Sequence, residues 1–126
     1  MSSKILIVDD SRVIRRLIRS SIEAHTNWVV CGEADNGKIA VALVTELRPH
    51  LVILDLTMPV MNGLDAAREI SRIAPGMPMI MFTMHAVAGL RTDAQRVGIT
   101  HVFSKENGFG DNVLEAMREM LELSAA

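Results

Sequence analysis

The sequence predicts a single doubly wound α/β domain over residues 1–126, with five parallel strands and helices on both faces of the sheet. Three observations predict it. Short apolar runs recur at residues 5–8, 28–31, 51–54, 79–82 and 102–103. Segments with helical spacing lie between and after them. The runs are continuous rather than alternating, which is the pattern of parallel strands covered on both faces. Right-handed crossovers then wind the helices onto the two sides.

The first run, ILIV, leads into Asp9 and Asp10. Ser11 follows where a helix N-cap belongs. In the helix after it, Ile14, Leu17, Ile18 and Ile22 share a broad apolar face, and Arg12, Arg15, Arg16 and Arg19 take the remainder as a solvated face. The second run holds Cys31, the sole cysteine, which excludes an intrachain disulfide; a buried, inert thiol is expected. Ile39, Ala42, Leu43 and Leu47 mark the second helix, which stops before Pro49. The third run, LVIL, ends on Asp55. Leu64, Ala67 and Ile70 mark the third helix, ending near Pro75-Gly76. The fourth run ends at Thr83. A fourth helix is expected from about residue 86 to residue 97, with Gly98 as its C-terminal stop. The fifth run leads to Lys105. The fifth helix starts near Asp111, with Val113, Leu114, Met117, Met120 and Leu121 facing inward.

Composition narrows the function. At 126 residues, 49% hydrophobic and 22% charged, the chain can bury a core, and disorder is not expected. A net charge of −2 argues against nucleic-acid binding by bulk electrostatics. No apolar run approaches the ~18 residues of a membrane helix. The opening MSSKILIVDD meets two acids before a signal-peptide core could form, so a cytoplasmic location is expected. No repeat, linker or low-complexity segment is evident. Neither a Walker A sequence nor GxGxxG occurs, so direct nucleotide binding is disfavoured.

In a doubly wound sheet, ligands bind beyond the carboxyl ends of the strands, where strand order reverses. The strands deliver Asp9, Asp10, Asp55, Thr83 and Lys105 to that rim. Three carboxylates crowded together raise one another's pKa unless a counter-charge is present. Hard oxygen ligands suit Mg²⁺, which keeps several waters and often touches phosphate. The plainer reading is that Asp9 and Asp10 cap the first helix, that Asp55 is a loop acid and that Lys105 is solvated. That reading weakens when all five residues fall at strand ends. Phosphoryl transfer to an aspartate fits the set, because a carboxylate can act as nucleophile and the phosphoryl oxygens need neutralising.

At ILIVDDS, VILDLTMPVMNG, MFT and FSK, taken in that order, the chain resembles the receiver domain of two-component response regulators, the CheY-like fold. The resemblance covers essentially the whole chain. It implies strand order 2-1-3-4-5. It makes Asp55 the phosphoacceptor. It implies Mg²⁺ held by Asp10, Asp55 and the Thr57 backbone carbonyl, with Asp9 acting through a bound water. Lys105 would contact the phosphoryl group, and Thr83 would be the switch hydroxyl. The implied donor is a phosphohistidine on a sensor kinase or phosphotransfer protein, docking at the first helix and the loops around Asp55. Output or homodimer contacts are expected on the face of the fourth helix, fifth strand and fifth helix. Pro59 and Asn62-Gly63 would shape the loop behind Asp55.

The chain also departs from the family pattern. Val102 stands where an aromatic partner of the switch hydroxyl is usual, with Phe103 beside it. Glu106 replaces a proline that usually follows the lysine through a cis bond. A cis non-proline bond costs about 3 kcal/mol, so a trans Lys105–Glu106 bond is expected, and ENGFGD reads as a loose loop. Met84 is larger than the small residue typical there and is expected to narrow the approach to Asp55; His85 is expected to be exposed or to orient an attacking water. The expected function is phosphoacceptor signalling to an output partner, with no catalysis beyond the chain's own phosphotransfer and dephosphorylation. The competing readings are a receiver excised from a longer DNA-binding regulator, a non-phosphorylated interaction scaffold, and an aspartyl phosphatase. The second acid a phosphatase needs two residues after its nucleophile is absent.

Overall fold

A computed structural model describes residues 2–125. The elements run β1 (Lys4–Val8), α1 (Arg12–His25), β2 (Val29–Ala34), α2 (Gly37–Leu47), β3 (Leu51–Leu54), α3 (Gly63–Ile73), β4 (Met79–Thr83), α4 (Leu90–Arg96), β5 (Ile99–Ser104) and α5 (Asp111–Ala125). All strand pairs are parallel, in the order β2-β1-β3-β4-β5. The predicted fold class and strand order are therefore observed. Among the described residues, no helix is long and apolar enough to cross a membrane.

The continuous apolar runs serve two cores. Leu6, Val8, Val52, Leu54, Met79 and Met81 pack on one face with residues of α2, α3 and α4. Ile5, Ile7, Ile53, Ile80 and Phe82 pack on the other face with Ile18 and Ile22 of α1 and with Val113, Leu114 and Met117 of α5. Successive strand side chains point to opposite faces, so a strand buried on both sides has no polar position. Each such Ile or Leu contributes about 1.5–3 kcal/mol by leaving water.

Helix α5 buries the five residues expected of it. Ser11 caps α1, accepting from the Ile14 N–H at 3.3 Å. Gly98 follows α4 with φ 95. Other expectations need correction. In α1, Leu17 is 47% exposed; the buried face is the narrower one carried by Ile18 and Ile22. In α2, Ile39 and Ala42 point outward, and Ala40 and Val44 face the core. This helix is apolar on nearly every side, so periodicity could not set its rotation. Gly37 does: its N–H donates to the Met61 carbonyl at 3.0 Å, and a Cβ there would collide with that oxygen.

Helix α4 begins at Leu90, not near residue 86, because Ala86, Val87 and Ala88 are exposed and have no core to cover. Gly89 enters the helix at φ 85, without a side-chain cap. Strand β5 starts earlier than the 102–103 run. Cys31 is half-buried rather than buried; its thiol donates to the Ile5 carbonyl at 3.5 Å, and burial raises its pKa, which keeps it unreactive. The peptide bonds of the described residues are all trans, Lys105–Glu106 included. The segment after Lys105 is not loose. It forms a 3₁₀ turn, Lys105–Asn107, and Phe109 then sits in the core, edge-on to Phe82 with ring centroids 5.3 Å apart.

Candidate functional site

The chain leaves β1 toward β2 on one side and reaches β3 on the other, so the loops after β1 and β3 part at their carboxyl ends. The Asp55 N–H donates to the Val8 carbonyl at 3.0 Å, which locks the tip of β3 against β1. Asp9 is tied to the far side, its N–H donating to the Ala34 carbonyl at 3.0 Å. Its Oδ1 accepts from the Ser11 N–H at 2.8 Å. Asp9 and Asp55 are buried, while Asp10 is exposed at the mouth. One carboxylate oxygen from each of Asp9, Asp10 and Asp55 lies within 4.8 Å of the others.

Lys105 completes the cluster. Its ammonium donates to Asp9 Oδ2 at 2.7 Å and to Asp55 Oδ2 at 3.0 Å, and its side chain is only 8% exposed. Burial pushes the Asp9 pKa up, and the nearby Asp55 charge adds to this; the bonds from Lys105 and Ser11 oppose it without reversing it. Burial works to lower the Lys105 pKa, but its bonds to Asp9 and Asp55 outweigh that and hold it above the ordinary lysine value. One ammonium among three carboxylates leaves the cluster short of positive charge. The donors are hard oxygens, partly exposed at Asp10, so the residues fit a divalent cation that keeps some water.

The loop behind Asp55 is tightly folded. The Gly63 N–H donates to the Leu56 carbonyl at 2.8 Å, and a Cβ on Gly63 would strike the Asp55 carbonyl. Asn62 caps α3 by accepting from the Asp65 N–H at 2.9 Å. Val60 has φ 70, a strained conformation for a β-branched residue. Thr57 is exposed, with its hydroxyl 3.4 Å from His85 Nδ1. Thr83 is fully buried, and its hydroxyl accepts the His85 N–H at 3.2 Å rather than bonding to an acid.

Thus Asp9, Asp10, Asp55 and Lys105 come together as expected, and Thr83 ends the adjacent strand. His85 is exposed yet within reach of Thr57. Met84 is 53% exposed. Val102 is buried, and Phe103 faces the opposite core, stacked on His101 with centroids 5.9 Å apart. No aromatic ring thus stands at residue 102, on the strand that pairs with the one Thr83 ends. Sequence reasoning missed Arg15. It is not part of a solvated face: its guanidinium donates to the Asp9 carbonyl at 2.7 Å and to Glu33 at 2.9 Å. Arg19 also binds Glu33. Glu33 lies on β2 and the Asp9 carbonyl in the loop after β1, so helical spacing carries no sign of them.

Residues 5–121 match the family model for the response regulator receiver domain. The chain is 37% identical over 98 residues to the chemotaxis protein CheY of Thermotoga maritima, covering 78% of this chain and 81% of that protein. It is 36% identical over 124 residues to a protein-glutamate methylesterase/protein-glutamine glutaminase of Alkalilimnicola ehrlichii. That match covers 97% of this chain but 32% of the relative, so the chain spans about a third of that protein's length. Among solved structures, the response regulator domain of Thermotoga maritima CheB is similar at 27% identity with a TM-score of 0.87, covering 97% of this chain and 98% of that one.

Proposed function

The chain belongs to the response regulator receiver domain family, and on that premise we propose that residues 1–126 form one receiver domain that accepts a phosphoryl group on Asp55. The observation that carries this reading is Lys105 bonded to both Asp9 and Asp55 within the cluster of three carboxylates. A carboxylate oxygen of Asp55 attacks the phosphorus of a phosphohistidine. The O–P bond forms as the N–P bond breaks, and the imidazole leaves with its electron pair. Asp10, Asp55 and the Thr57 carbonyl would hold Mg²⁺, with Asp9 acting through a bound water, and the ion would supply neutralisation of a phosphoryl oxygen. Lys105 donates to a second oxygen, and the Thr83 hydroxyl turns from the His85 N–H to a third. Burial of Asp55 and Lys105 excludes water and strengthens these contacts.

The donor is a sensor histidine kinase or a histidine phosphotransfer protein, and the readout is an altered surface offered to an output partner. That surface includes the α4, β5 and α5 face, which is also the face open to a homodimer contact. Among the described residues no helix is long and apolar enough to cross a membrane, and the proposed setting is the cytoplasm, with protein partners rather than nucleic acid. Incubation with Mg²⁺ and acetyl phosphate, followed by intact mass measurement, tests the core of this. Wild type gains one phosphoryl group and Asp55→Asn does not. No gain from acetyl phosphate or from phosphohistidine proteins would overturn it in favour of a non-phosphorylated scaffold.

A further inference from the structure

Resting on the reading of Asp9, Asp10 and Asp55 as a cation site, we propose that Arg15 is a positioning residue for that site, holding the Asp9–Asp10 peptide while Glu33 braces it from β2. Four observations support this. The Arg15 guanidinium donates to the Asp9 carbonyl at 2.7 Å. Its Nε donates to Glu33 Oε1 at 2.9 Å, and Arg19 holds the other oxygen, Oε2, at 2.7 Å. The Arg15 side chain is 15% exposed, far less than a solvated arginine needs. Arg12 and Arg16, on the same helix, are exposed.

The carbonyl that Arg15 holds belongs to the peptide joining Asp9 to Asp10. Its plane sets the direction in which the Asp10 side chain starts. Asp10 is exposed, so packing does not fix its carboxylate. Asp9, by contrast, is already held through its N–H, by Ser11 and by Lys105. Arg15 therefore acts mainly on Asp10, by orienting the backbone from which it projects. Partners that orient a ligand in this way typically govern metal affinity by about tenfold or more.

Charge alone predicts the opposite sign. Arg15 is a cation near an acidic cluster, so its removal should tighten Mg²⁺ binding if only Coulomb repulsion between the two cations mattered. Titration calorimetry with Mg²⁺ on the intact chain separates the two. Arg15→Met, which keeps the apolar stem, should weaken binding about tenfold. Arg16→Met, which removes a charge from the same helix, should leave affinity unchanged or slightly tighter. Arg15→Lys keeps the charge but reaches only one of the two partners, so its affinity should fall between those of wild type and Arg15→Met. The Mg²⁺ concentration for half-maximal phosphorylation by acetyl phosphate should rise by the same factor, with the rate at saturating Mg²⁺ unchanged.

Wild-type or tighter affinity in Arg15→Met overturns the proposal. If that variant does not fold by circular dichroism, Arg15→Lys decides, and wild-type affinity in it overturns the proposal. Asp10→Asn guards the premise: if it binds Mg²⁺ as tightly as wild type, the cation site itself is wrong. If Asp10→Asn loses binding while Arg15→Met keeps it, only the role of Arg15 fails.

Discussion

Lys105 is the residue on which the acid cluster closes. A buried ammonium bonded to two carboxylates is sustained by their mutual compensation, and removal of one partner leaves an uncompensated buried charge. Its neighbours at the mouth are side chains that sequence could name but not place. Met84 projects outward beside Thr83, and His85 reaches back to the Thr57 hydroxyl. On the proposal that Asp55 is phosphorylated, the two side chains are expected to narrow the path of a water molecule to it. Met84→Ala should therefore lose its phosphoryl group faster, by about two- to fivefold, a barrier change of under about 1 kcal/mol. Following intact mass after removal of the donor measures this; an unchanged or slower rate would count against the shielding role. Asp55, Asp9 and Lys105 were legible because each ends an apolar run. Arg15 was not, because its partners, the Asp9 carbonyl and Glu33, are set by folding.

At the scale of elements, the link between α1 and β2 is ionic. Burial acts to raise the Glu33 pKa, but hydrogen bonds from Arg19 and Arg15 outweigh it and hold the carboxyl below its ordinary value. A folded pKa below the unfolded one stabilises the fold above the unfolded value of about 4.3 and loses that contribution as pH falls through the folded pKa. Glu33 is partly exposed, so screening keeps the effect under about 1 kcal/mol. Glu33→Gln should be less stable than wild type at pH 7 and lose less stability on acidification to pH ~3. Urea midpoints at the two pH values check this, and parallel losses would refute it. The elements also show where periodicity ran out. Helix α5 has one apolar face, and the five inward residues its spacing marks are all buried, with Ala116 beside them. Helix α2 is apolar around most of its circumference, and only the approach of Gly37 to Met61 settles which face is inside.

For the whole molecule, the acid cluster is a consequence of strand order. Residues 9, 10, 55 and 105 are distant in sequence, and β1, β3 and the end of β5 bring them together at one edge. A ligand that binds only the folded chain stabilises it in proportion to its occupancy. Mg²⁺ at a hundred times its Kd should add about 2.7 kcal/mol, a rise in Tm on the order of 10 °C for a domain of this size. Thermal unfolding with and without a chelator measures the increment; Asp10→Asn should lose most of it, and an equal increment in the variant would contradict the cation site. The sequence by itself determined the fold class, the five helices and the strand-end acids, because burial on two faces demands uninterrupted apolar runs and leaves polar residues to the tips. Only the tertiary structure decided the rotation of α2, the late start of α4, the anchoring of Phe109 and the placement of Arg15. Those depend on which surfaces meet, and contact between distant segments leaves no period in the chain.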